Sequence, residues 1–126
     1  MYFVDNLSPL NTLDQNHLKF LKKNFLFKNK DFKEKKIKTE NVNNILKKYK
    51  FSKVDFLNID LEGLEYEVIK SLDFKRFKIN LICIEILDHN KISKNKSKKI
   101  HKILKKNNFK YLKKIGVNSI FKNDNF

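Results

Sequence analysis

The chain has two glycines, one proline, one cysteine, one methionine and no tryptophan among its 126 residues, and alanine is absent altogether. Each shortage excludes something. With only Gly63, Gly116 and Pro9 as punctuation, there is no Gly/Ser/Pro linker and no repeat framework. The chain therefore reads as one domain or a large piece of one. The lone Cys83 cannot close an intramolecular disulfide, and its place between Ile82 and Ile84 suits a small buried hydrophobe in a reducing compartment. A cytoplasmic location is expected. His17, His101 and Cys83 show no metal-ligand spacing, so no metal is expected. The N-terminus lacks the basic-then-apolar order of an export signal, and no stretch approaches the roughly 18 apolar residues of a membrane span.

Arginine is scarce as well. Arg76 is the only one, although the formal net charge is +15 and the pI near 9.8. So much lysine invites a nucleic-acid reading, because basic side chains neutralise phosphates. The missing guanidinium groups weaken it, since planar bidentate recognition favours arginine. An excess of Lys, Asn, Ile and Phe fits the codons of an AT-rich genome, and on composition nucleic acid is not the expected partner. What is present is ample apolar material: 40% hydrophobic and 13% aromatic residues argue for a folded chain despite 34% charge.

Periodicity supplies the elements. Residues 1–36 carry little pattern beyond a short helix after Asp14 with Leu18, Leu21 and Phe25, followed by the lysine-rich KNKDFKEKK. From residue 37 to 126 order rises. Ile37 to Thr39 is expected as a short strand, and Asn41 can cap a helix with Val42, Ile45, Leu46 and Tyr49 on one face. Val54 to Ile59 reads as a strand and Leu64 to Leu72 as a helix. Ile79 to Leu87 is a near-continuous apolar run of the kind found in strands covered on both faces of a parallel sheet. Ser93 can cap a helix through Ile100, Ile103 and Leu104, and Phe109–Lys113 and Val117–Lys122 flank Gly116 as a closing pair of strands. The alternation predicts an α/β fold with a doubly wound, mostly parallel sheet and a C-terminal antiparallel hairpin.

In open α/β sheets, ligands bind beyond the carboxyl ends of the strands. Asp60, Glu62 and Glu65 follow one such end in NIDLEGLEYEVIKSL, with Gly63 among them, and Glu85 and His89 lie near the other. Acids in a first helical turn are also favoured by the helix dipole, so spacing alone leaves a structural reading open. For His89 a solvated or packed role is the commoner one.

The stretch VDFLNIDLEGLEYEVIKSLDF resembles the strongest motif of the FkbM family of methyltransferases, a strand ending in Lys-Ile-Asp-x-Glu-Gly-x-Glu and followed by a Val-Leu-Lys helix. KTENVNNIL, LICIEI and NSIF resemble flanking parts of the same domain, so the resemblance runs from about residue 37 to residue 122. It implies a Rossmann-like domain that uses S-adenosylmethionine to methylate a hydroxyl of a sugar, glycan or metabolite. It also implies Asp60 and Glu62 as catalytic residues, with Gly63, Glu65, Glu85 and His89 lining the substrate or cofactor cleft. The family's lysine before Ile-Asp is Asn58 in this chain, and its Val-Asp-Val-Gly-Ala-Asn-x-Gly cofactor segment has no counterpart. The expectation is therefore an N-terminally incomplete domain: truncated, completed by a partner chain that supplies strands, or decayed to a scaffold. The reading from a different class is a basic module for RNA or an anionic surface, with KYLKK and FLFKNK interleaving aromatics and lysines.

Overall fold

The computed structural model describes residues 1–3, 12–24, 33–88 and 90–126. Two compact units divide the chain, Met1–Thr39 with Leu61–Leu64, and Glu40–Asp60 with Glu65–Phe126. Among the described residues, no helix is long and apolar enough to cross a membrane.

In the first unit, β1 (Tyr2–Phe3) pairs antiparallel with β2 (Lys33–Glu34). The helix α1 (Gln15–Asn24) begins after Asp14, whose carbonyl accepts the Leu18 N–H at 2.9 Å. Leu18 and Leu21, three residues apart on one helical face, are both buried. Phe25, expected on the same face, lies outside the described residues. Ile37 to Thr39 is not a strand. Ile37 is the one apolar residue among Lys36, Lys38, Thr39 and Glu40, and with nothing to bury the segment stays exposed and irregular.

In the second unit, α2 (Val42–Lys48) starts at Asn41, whose side chain accepts from Asn43 N. Only Leu46 of its expected apolar face is buried, while Ile45 and Tyr49 are exposed. The strand β3 (Lys53–Ile59) leads through α3 (Glu65–Ser71) to β4 (Lys78–Glu85), and the two strands run parallel with Val54 opposite Ile79 and Ile59 opposite Ile84. The helix α4 (Lys91–Lys106) follows. Its cap is Asn90 rather than Ser93: the Asn90 side chain accepts from Ser93 N, and Ser93 Oγ accepts from Asn90 N, which closes a capping box three residues before the expected start. The hairpin of β5 (Phe109–Ile115) and β6 (Asn118–Asn123) turns at Gly116, whose φ of 58° is the left-handed value a two-residue loop needs at its first position.

The sheet order is β3-β4-β6-β5. One pairing is parallel and two are antiparallel, so the sheet is mixed where a mostly parallel one was expected. The cause is that β6 inserts beside β4, placing the hairpin's return strand at the centre. On one face, Ile82 stands opposite Leu57 and Phe121, and Ile84 opposite Ile59. Ile69 and Leu72 of the α3 region and Ile100 and Leu104 of α4 pack on these residues as one core. Burying each of these side chains contributes about 1.5–3 kcal/mol. On the other face Leu81, Cys83 and Ile120 are only half-buried and Phe56 is 59% exposed. The apolar run of β4 thus has one well-covered face, not two.

Candidate functional site

Because Ile59 pairs with Ile84, the chain delivers Asp60 and Glu85 side by side at the carboxyl ends of adjacent parallel strands. One carboxylate oxygen of each lies within 4.8 Å of the other. Their settings differ. Asp60 is exposed, whereas Glu85 is half-buried with Oε2 shut off from solvent. Two carboxylates so placed can accept hydrogen bonds from two neighbouring hydroxyls of one molecule, and one of the pair can receive a proton.

The turn that follows Asp60 has an unusual backbone. Glu62 adopts φ 52° and Gly63 φ 114°, and a non-glycine residue in the left-handed region carries a strain of about 1–2 kcal/mol. Within the first unit, Thr12 holds this turn in place. Its buried hydroxyl donates to the Glu62 carbonyl and accepts from Asp14 N at 3.1 Å. Asp14 then packs so closely on Gly63 that a Cβ at that position would lie 2.6 Å from Asp14 Cβ. Gly63 is required by the chain's own side chain. Glu65 opens α3 and is only 7% exposed, a position at which its charge also meets the positive end of the helix.

His89 lies outside the described residues. Its neighbour Asp88 pairs with Lys114 Nζ at 3.3 Å, and the same ammonium donates to the Ile86 carbonyl at 3.3 Å. Sequence reasoning did not single out Lys114 beside Asp88, nor, within the first unit, Thr12 and Asp14 at the Glu62–Gly63 turn. Their contacts with residues 26 to 50 positions away leave no local signal.

A nucleoside sulfonium cofactor needs a turn whose backbone amides can approach it closely. Neither glycine provides one. The open side of Gly63 is filled by Asp14, and Gly116 turns a hairpin between antiparallel strands. Among the described residues, neither glycine turn fits that group.

Comparison with known proteins gives one finding. The family described as methyltransferase FkbM domain matches residues 1–111, including the N-terminal segment that the sequence resemblance left out. No curated protein and no solved structure matches the chain. The match spans most of the 126 residues, and it includes the strand-end acids Asp60 and Glu85. The chain belongs to the FkbM methyltransferase domain family.

Proposed function

We propose that the chain carries the acceptor side of a methyl-transfer site on a Rossmann-like frame. The donor is S-adenosylmethionine, and the acceptor is a hydroxyl of a sugar, glycan or metabolite in the cytoplasm. The observation that supports this most directly is the pairing of Asp60 and Glu85 at adjacent strand ends in a chain of this family. Asp60, exposed to an incoming molecule, takes the proton of the acceptor hydroxyl and so raises the nucleophilicity of its oxygen. Glu85, more enclosed, orients the acceptor molecule by accepting a hydrogen bond from a neighbouring hydroxyl of it. Glu62, two residues along the chain, is the next candidate for the proton-accepting role. The cofactor is held by a segment other than those described, either on the same polypeptide or on a partner chain that completes the sheet.

The reading has two measurable parts. Calorimetry of this chain with S-adenosylmethionine is expected to show no binding, and a micromolar dissociation constant, about 8 kcal/mol, would contradict the misfit found at its glycines. When a glycine-rich segment of the family is supplied, hydroxyl methylation is expected, and Asp60→Asn lowers turnover by about 10²- to 10⁴-fold. Asn keeps the size of Asp and one side-chain acceptor oxygen, so a carboxylate with only a structural role at the turn tolerates the change. Near-normal turnover in Asp60→Asn would therefore assign Asp60 to the turn and leave Glu62 as the base.

A further inference from the structure

Charge is unevenly placed along this chain. Twelve of the 29 basic residues, but only one of the 14 acids, Asp124, lie beyond His89, so the last 37 residues carry +11 of the net +15. The codons of an AT-rich genome fit how much lysine the protein contains. They do not account for a stretch cleared of acids, because aspartate and glutamate recur throughout the first 88 residues.

The fold turns this stretch into a surface. Lys91, Lys94, Lys98, Lys102 and Lys105 are all exposed, and their spacing of three and four residues aligns them along one side of α4. From the first to the last, the ridge runs about 21 Å, at about 1.5 Å per residue. Like charges at this spacing repel, and an anionic ligand laid along the ridge relieves the repulsion. The apolar stripe of α4, with Ile100 and Leu104, is buried in the core. That helix consequently has no apolar face to turn toward a lipid bilayer.

At the C-terminal end of the ridge opens a cavity of about 530 Å³ whose lining includes His101, Lys105, Lys110, Tyr111 and Phe121, with Asp124 the one acid among its residues. The three rings are neighbours: His101 lies 5.0 Å from Phe121 and 5.4 Å from Tyr111, and Tyr111 lies 5.5 Å from Phe121. Phe121 forms the buried floor, and Tyr111, 45% exposed, forms the accessible wall. Burial holds the His101 imidazole below its ordinary pKa of 6.5, which favours an uncharged ring in that wall at neutral pH.

We propose that the α4 ridge and this aromatic cleft together bind single-stranded nucleic acid, with the lysines on successive phosphates and a base stacked on Tyr111. This proposal is independent of the strand-end acids. A single strand is favoured over a duplex because only an unstacked base can lie against an aromatic wall. Lysine in place of arginine suits phosphate contacts that carry no sequence preference.

The test is fluorescence anisotropy of the full chain with a labelled oligouridylate of about 15 nucleotides, over a series of salt concentrations. Binding is expected, with log K falling linearly as log salt rises. Replacing Lys94, Lys98 and Lys102 together by Gln lowers that slope by about 2, whereas the same change at Lys33, Lys47 and Lys75 leaves it nearly unchanged. Tyr111→Leu weakens binding about tenfold without altering the slope, and Tyr111→Phe, which keeps the ring, restores it. Equal loss of slope from the two triple variants would reduce the effect to net charge and overturn the proposal. So would duplex RNA bound as tightly as the single strand, or binding to phosphatidylserine vesicles but not to the oligonucleotide.

Discussion

At φ 114° and with the Asp14 side chain against it, Gly63 has no room for a methyl group. Gly63→Ala combines backbone strain with a contact that requires Asp14 to move, and a loss of about 1–3 kcal/mol is expected, read as a lower urea midpoint. His101 gives a second prediction at this scale. Its pKa is lowered by burial, raised in part by the Asp88 carboxylate and lowered further by the Lys114 ammonium. With the folded value below the unfolded one, falling pH protonates the unfolded chain first. The His101 contribution is therefore fully present above the ordinary value of 6.5 and is lost as pH falls through the window just below it. Melting temperatures of wild type and His101→Gln between about pH 7 and pH 5 should show the steeper decline in the wild type.

Among the elements, α2 and the end of α3 are joined by one side chain. Asn43 Nδ2 donates to the Ser71 carbonyl at 2.7 Å, and Asn43 Oδ1 accepts from Asp73 N at 2.9 Å. Asn43→Ala removes both bonds. Because the site is exposed and water can replace part of what is lost, a destabilisation of about 1 kcal/mol is expected in thermal melts. Much of this architecture is legible in the sequence. The runs around Phe56 and Ile82 mark β3 and β4, and a helix between them implies their parallel pairing. The strand-end rule brings Asp60 and Glu85 together on paper, as the register does in the fold. Asn90 and Ser93 are both good caps, so residue type alone does not fix where α4 begins. The insertion of β6 beside β4 is a choice among distant partners, and the left-handed turn at Glu62 depends on Thr12. Neither leaves a mark on its own stretch of sequence. The edge strand β5 is one-sided in another way, with exposed Lys110, Lys113 and Lys114 and a register shift between Tyr111 and Lys113 that discourage a further strand from pairing.

For the molecule as a whole, a net charge of +15 means self-repulsion that compaction makes worse. Salt screens it over about 10 Å at 0.1 M. The melting temperature should consequently rise by a few degrees between about 0.02 and 0.3 M sodium chloride, before any specific anion is considered. A chain whose stability fell over that range would owe more to its ion pairs, such as Lys114–Asp88, than to the relief of repulsion. The bond from Thr12 to Glu62 also carries a meaning in time, since it joins residues 50 positions apart. A polypeptide is made from its N-terminus at roughly 5–20 residues per second, so Thr12 is joined to the chain about 2.5–10 s before its acceptor exists. For that interval the nascent N-terminal segment lacks the partner that satisfies its buried hydroxyl, and the acidic turn gains its left-handed twist only when the ends of a long loop meet. During biosynthesis, the Glu62–Gly63 turn is therefore fixed only after translation has passed it, by a residue made long before.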